Sequence, residues 1–209
     1  MTIGETSRTG RRAAAIATRG RMLDAARALA DEGGYERVTV AQVTQRAGTS
    51  RATFYLYFEN IREIYLLLAE RATDAVFEGA VSGWTSVDLV ASLDAWVRGY
   101  VTVFREHAGV LRVGYGHRFD DADFSTLIDR SRARLARQLA INLDGAVAIG
   151  LAREVDTTLV AEALNSTLES MCVFEIDAER RRDLDTLCST LVDLWVHAVV
   201  VDGAPTGTT

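Results

Sequence analysis

Apolar residues recur at three- and four-residue steps through most of the chain, which is the period of amphipathic helices. Over Thr18 to Glu32 the stripe is Met22, Leu23, Ala26, Leu29 and Ala30, and Gly33 and Gly34 end it. Thr39 and Gln42 make a capping box, TVAQ, that starts a second helix with Val40, Val43 and Ala47 on its inner face. Gly48 suits a left-handed turn, and Ser50 is a good N-cap for a third, short helix running to Phe58. Asn60 and Glu63 repeat the box in NIRE and launch a fourth helix through Ile64, Leu67, Leu68, Arg71 and Ala75 to about Ser82. A fifth helix is predicted from Ser86 to about Glu106, with Leu89, Leu93, Trp96, Val97, Tyr100 and Phe104 on one broad stripe. Residues 107–123 are glycine-rich and irregular, with room for a short helix. Phe124 to Leu143 is strongly helical, and Gly145 and Gly150 weaken the turns that follow. Two further helices, Thr157 to Phe174 and Asp183 to Val201, close the pattern.

The single proline, Pro205, lies near the end, and Ala and Leu are abundant, so the expected fold is all-α. The expected organisation is an Arg-bearing mobile arm over 1–17, a helix-turn-helix domain over 18–63, a larger helical domain over 64–203 and a tail over 204–209. The 209 residues, 48% of them hydrophobic and 25% charged, are enough to build a full core.

The third helix carries the chemistry. Phe54 and Phe58 lie one turn apart and share a face, while Ala52, Thr53 and Leu56 fall opposite and Tyr55 and Tyr57 lie on the flanks. A helix, a glycine turn and a capped helix with one greasy edge and one small-polar edge make the pattern of a DNA-reading helix-turn-helix. Arg, Thr and Tyr suit phosphates and base edges. Charge agrees: residues 1–58 hold nine Arg against five acids, a balance of +4, and the remainder holds 14 Arg against 24 acids, a balance of -10. A basic end on an acidic body suits a protein that docks that end on a polyanion. Cys172 and Cys188 lie in apolar helical patterns and form no pair motif, so buried thiols in a reducing, cytoplasmic setting are expected. Residues 1–20 lack the apolar core of a secretory signal, and no apolar run reaches membrane length.

Thr39 to Ile64, TVAQVTQRAGTSRATFYLYFENIREI, resembles the DNA-binding signature of the TetR family of bacterial transcription regulators. The resemblance implies a three-helix HTH DNA-binding domain joined by the fourth helix to a larger helical ligand-binding and dimerisation domain. It implies a homodimer, a pseudo-palindromic double-stranded operator DNA, a small-molecule effector and, usually, release of DNA on effector binding. It makes Ser50 to Phe58 the recognition helix, with Thr39, Ser50, Arg51, Ala52, Thr53, Tyr55, Leu56, Tyr57 and Arg62 as DNA-binding residues and Phe54 and Phe58 as core. Ile61 stands where the family commonly has a phosphate-binding Lys, and Arg62 is the neighbouring cation.

The helical body offers an aromatic zone that would hold the effector: Trp96, Tyr100, Phe104, His107, Tyr115, Phe119 and Phe124, with Met171 and Phe174. Its composition points to a small hydrophobic or aromatic ligand. The last two helices offer a self-complementary surface for a four-helix dimer bundle: Val160, Ala163, Leu164, Thr167, Leu187, Leu191, Leu194, Trp195 and Ala198. His107 and His117, ten residues apart with Asp120, Asp121 and Asp123 nearby, follow no metal-ligand spacing, and no metal or cofactor is expected. No triad, nucleophile elbow, P-loop or dinucleotide fingerprint is present, so the expectation is a repressor and not an enzyme. The competing classes are a helical small-molecule-binding protein or enzyme with an incidental helix-turn-helix, and a protein-interaction module built on the tyrosine helix.

Overall fold

The computed structural model describes residues 3–85 and 87–201. Among these the chain forms nine α-helices, two 3-10 turns and no strand beyond an isolated bridge between Ala152 and Val200. No helix among the described residues is long and apolar enough to cross a membrane. The chain divides into two compact units, Met1–Glu70 and Arg71–Thr209.

The first unit begins with α1 (Ile3–Gly33). Residues 3–17, expected as a mobile arm, are helical. Ala13, Ala14 and Ala15 favour helix, and no proline interrupts the run into Met22. The tail expected over 204–209 lies outside the described residues. A 3-10 turn at Tyr35–Arg37 leads to α2 (Val40–Arg46), and α3 (Arg51–Tyr55) follows. Met22, Leu23, Ala26, Val43, Phe54, Phe58, Ile64 and Tyr65 are buried and form this unit's core. The Tyr65 hydroxyl donates to Ala26 O at 2.8 Å, and its ring meets Tyr35 edge-on. Burial keeps that phenol neutral, pushing its pKa up.

The long helix α4 (Ile61–Val81) opens with Asn60 Oδ1 accepting from Glu63 N at 2.9 Å. The Glu63 carboxylate reaches back to the N–H of Glu59 rather than Asn60, at 2.7 Å, so the box closes one residue earlier than its sequence suggests.

The second unit packs α5 (Leu89–Glu106) along α9 (Leu184–Val199), and α7 (Ala122–Ala148) along α8 (Thr157–Phe174), with the short α6 (Ala108–Gly116) between α5 and α7 in sequence. The fifth helix begins three residues later than expected because the Asp88 carboxylate caps it, accepting from Ala91 N at 2.9 Å. Asp121, Asp156 and Asp183 cap α7, α8 and α9 in the same way. The whole apolar stripe of α5 is buried, from Leu89 to Phe104. On its far edge Arg98 holds Asp94 and, at 2.5 Å, Asp185 of α9.

Helices α4 and α5 touch backbone to backbone. A Cβ on Gly99 would stand 2.0 Å from Gly79 O, and one on Gly79 would stand 2.6 Å from Val103 Cγ2. The obstacle at Gly99 is main chain, which no rotamer change can clear. Gly99→Ala is therefore expected to cost about 1–3 kcal/mol through forced separation of the two helices. Urea unfolding of the variant at neutral pH checks this; an unchanged midpoint would mean the crossing is loose.

Candidate nucleic-acid interface and effector cleft

In the first unit, three local devices present α3. Gly48 has φ 62°, where a side chain would strain the backbone, and it reverses the chain after α2. Thr39 caps α2 through a complete box, its hydroxyl accepting from Gln42 N at 3.3 Å while its own N–H donates to Gln42 Oε1 at 2.9 Å. Ser50 caps α3, its Oγ accepting from Thr53 N at 3.0 Å. The helix is one turn and a half, shorter than the Ser50 to Phe58 reading; Leu56 closes it, and Phe58 N still donates to Phe54 O at 3.0 Å. Phe54 and Phe58 are buried with ring centroids 5.7 Å apart, and the Arg19 guanidinium lies 5.1 Å over the Phe58 ring.

Opposite them, the surface is open. Tyr55 is 60% exposed and Leu56 80% exposed; Arg51, Ala52, Ser50 and Thr39 are also exposed, and Thr53, Tyr57 and Arg62 are half-buried. An exposed leucine beside an exposed tyrosine on a capped helix is apolar area left for a partner. The set can donate hydrogen bonds, meet a thymine methyl and place two permanent cations, Arg51 and Arg62.

In the second unit, α7 and α8 diverge enough to leave a cleft of about 690 Å³. Its floor includes Tyr100 of α5 and Tyr115 of α6. Its sides are Arg132, Leu135, Ala136 and Ala140 of α7 and Thr158, Glu162, Asn165, Ser166 and Glu169 of α8, with Asp129, Arg137 and Asp144 also lining it. Glu169 is buried: Tyr115 O–H donates to its Oε1 at 2.5 Å and Arg132 Nε donates to Oε2. Burial, and then the Glu169 carboxylate, push the Tyr115 phenol up; burial does the same for Tyr100, so both stay neutral donors.

The aromatic zone expected to hold an effector is split. Tyr100 and Tyr115 line the cleft, whereas Trp96, Phe104 and Phe124 are core residues. Trp96 meets Trp84 edge-on, and Phe104 stacks on Tyr100 at 5.9 Å. His107 forms the junction of α5 and α6, and Met171 is half-buried outside the cleft lining. Phe119 is 90% exposed and Phe174 53% exposed, with Arg118 over the one and Arg180 over the other. Aromatic composition does not say on which side of a helix the space will open, and large rings fill core as readily as they line cavities. Sequence reading missed Arg132, Asn165 and Glu169. Their signal was two polar residues, Asn165 and Glu169, on the face of α8 that also carries Ala161, Leu168 and Cys172.

The expected dimer residues divide likewise. Leu187, Leu191 and Trp195 face inward, where α9 packs on α5, so they are core. Ala163, Thr167, Leu194 and Ala198 are exposed, and Val160 and Leu164 are half-buried. Leu159, 62% exposed, joins the outer set. The error arises because both faces of α9 are rich in apolar residues, so periodicity alone does not choose between them. Cys172 and Cys188 are buried free thiols, and burial raises the pKa of each.

Residues 22–68 match the family model described as bacterial regulatory proteins, tetR family. No curated protein matches the chain. Among solved structures, the chain resembles SmeT, the repressor of the Stenotrophomonas maltophilia multidrug efflux pump SmeDEF, at 23% identity over 91% of this chain and 94% of that one, with TM-score 0.68. A SmeT–triclosan complex aligns with TM-score 0.70 and 22% identity, covering 92% of this chain and 96% of that one. The fatty acid degradation regulator FadR from Bacillus halodurans aligns with TM-score 0.69 and 20% identity, covering 86% of this chain and 94% of that one. These likenesses establish a shared two-domain all-α fold.

Proposed function

We propose that this chain, whose residues 22–68 match the model of the tetR family of bacterial regulatory proteins, is a cytoplasmic transcriptional repressor released from its operator by a small molecule. The observation that carries the reading is the split of α3 and its C-terminal turn: Phe54 and Phe58 buried, Tyr55 and Leu56 exposed. The fold of the solved relatives supports it, and one of them, SmeT, is the repressor of a multidrug efflux pump.

In this reading Arg51, Thr53, Tyr55 and Tyr57 enter the major groove, Leu56 meets a thymine methyl, and Thr39 and Arg62 contact phosphate. Two copies join through the outer faces of α8 and α9, at Leu159, Ala163, Thr167, Leu194 and Ala198, and the pair reads a pseudo-palindrome. The effector occupies the cleft between α7 and α8. It acts through its differential affinity for the DNA-competent and the released states. Helix α4 begins at Ile61 in the first unit and continues into the second, where it meets α7. Arg134 sits on α7 between the cleft-lining Ala133 and Leu135, bonds Asp74 of α4 at 2.7 Å, and lies 3.6 Å over the Phe77 ring. A guest that shifts α7 therefore bears on α4 through Arg134.

The test is fluorescence anisotropy with duplex DNA from the promoter next to the chain's own gene, over a salt series. Affinity is expected to fall steeply with salt. The double variant Tyr55→Ala, Tyr57→Ala is expected to bind at least tenfold more weakly, since each base or phosphate contact contributes about 1–3 kcal/mol. Its melting temperature should hold. Binding that ignores both salt and the two tyrosines would refute the reading.

A further inference from the structure

Two polar clasps tie the walls of the α7–α8 cleft together. At one end Arg132 Nε of α7 donates to Glu169 Oε2 of α8. At the other, the Thr157 hydroxyl of α8 donates to Asp144 Oδ1 of α7 at 2.6 Å. The stretch of α7 from Arg132 to Asp144 spans about 18 Å. Between the clasps α7 lines the cleft with apolar side chains, among them Leu135, Ala136 and Ala140. Arg132, Ala136 and Ala140 follow at four-residue steps, so they stack along one face of the helix.

The members of the first clasp are unlike. The Glu169 side chain is 5% exposed, and both its oxygens are engaged, one by the Tyr115 hydroxyl and one by Arg132. The Arg132 side chain is 39% exposed and lines the cleft, so a guest meets more of the cation than of its counter-ion. Nε is spent on Glu169. The terminal Nη1 and Nη2 carry the other donors, in a planar fork that matches the two oxygens of a carboxylate. Because a buried carboxylate holds Nε, that fork loses little freedom when it takes a guest.

The other charges of the lining leave this cation dominant. Asp129 is bound by Arg118 at 2.9 Å, and Asp144 by the Thr157 hydroxyl. Glu162 is exposed, where water and salt screen it. Arg137, also exposed, adds a second cation to the lining. A cationic guest would meet Arg132, and each sheltered carboxylate it could approach already has a partner.

We propose that the effector of this cleft is an elongated apolar carboxylic acid, bound as its anion, whose carboxylate takes the Nη1–Nη2 edge of Arg132 and whose body runs along Ala136 and Ala140. The distance along α7 from Arg132 to Ala140, about 12 Å, sets the length of that body. The assignment rests on the reading of the cleft as an effector site.

The experiment uses the full chain and a matched pair of compounds, biphenyl-4-carboxylate and biphenyl-4-carboxamide, with binding followed by isothermal titration calorimetry at neutral pH. The two share shape and apolar area, but the amide has no charge and only one acceptor oxygen. The acid is expected to bind more tightly than the amide by about tenfold or more, the difference between a charge-assisted pair and a neutral one. Arg132→Gln should abolish that advantage and leave the amide's affinity nearly unchanged. The double variant Arg132→Gln, Glu169→Gln removes both charges of the clasp together, and it serves should the single change fail to fold. The same loss is expected in it. Equal affinity of the two compounds for the unaltered chain, no binding of the acid, or an acid preference that survives the loss of Arg132 would overturn the proposal. Each of those results with promoter DNA binding intact strikes the ligand assignment alone. Absent promoter binding by the unliganded chain strikes the regulator reading instead.

Discussion

Glu175→Leu is expected to destabilise the folded chain by about 3–5 kcal/mol, the cost of removing one partner from a buried ion pair. Glu175 caps the C-terminal end of α8 and is 2% exposed. Arg105 of α5 donates to its Oε2 at 2.8 Å, and Arg182, just before α9, donates to Oε1 from its side chain at 2.8 Å and from its backbone at 3.3 Å. One carboxylate thus joins the ends of three helices. Arg182 reaches solvent and can rehydrate, but Arg105 is mostly buried, and its Nε has no partner among the described residues even now. Taking away the carboxylate leaves that guanidinium without its counter-ion, with Arg105 Nη2 still donating to Arg182 O at 3.0 Å. A fall in melting temperature on the order of 10 °C follows for a unit of this size. Glu175→Gln keeps two acceptor lone pairs and should cost less. A Leu variant within about 0.5 kcal/mol of the unaltered chain in urea titrations would show that the pair contributes nothing.

The same group gives an acid signature. Burial pushes the Glu175 carboxyl up, but the hydrogen bonds from Arg182 and Arg105 outweigh it and hold the folded value below the ordinary one. A depressed folded value contributes stability that is complete above the unfolded carboxyl range, about 4.3, and is lost as pH falls through the folded value. The unaltered chain should lose part of its stability on acidification below that range, and Glu175→Leu should lose less over the same interval.

Phe54→Ala is expected to cost about 3–5 kcal/mol and to abolish DNA binding through the fold of the head. The ring is wholly buried and contacts Phe58. The unit that holds it, Met1–Glu70, is small, so the loss falls on a marginal core. Hydrogen exchange should show α2 and α3 opening in the variant while α5 and α9 stay protected. Tyr55→Ala, one residue along, removes a side chain that is 60% exposed and should leave stability within about 0.5 kcal/mol while weakening DNA binding. Equal stability losses in the two variants would contradict the division of the helix into a packed and a reading face.

The head was legible because its signals are local. Thr39, Gly48 and Ser50 act on backbone within three residues of themselves, and Phe54 and Phe58 meet across one turn of the same helix. Helix boundaries in the body shifted where a cap intervened, as at Asp88 and Asp121. Over residues 3–17 continuous helix propensity outweighs a polar composition, and the segment is helical.

The cleft was not legible, because it depends on which helix faces meet. Trp96 and Phe124 look like pocket residues by type, yet both are core; Asn165 and Glu169 look like surface residues by type, yet both are buried. Leu191 and Leu194 lie three residues apart on one apolar helix, but one packs against α5 and the other meets solvent.

By itself the sequence determined the all-α class, the capped turn of the reading head and which edge of its short helix is greasy, since those follow from propensity, capping and period within a few residues. Only the tertiary structure decided that α7 and α8 leave a cleft, that Glu169 closes on Arg132 and Tyr115, and that Asn165 is buried on α8. Those outcomes depend on the docking of helices far apart in the chain, which no local pattern encodes.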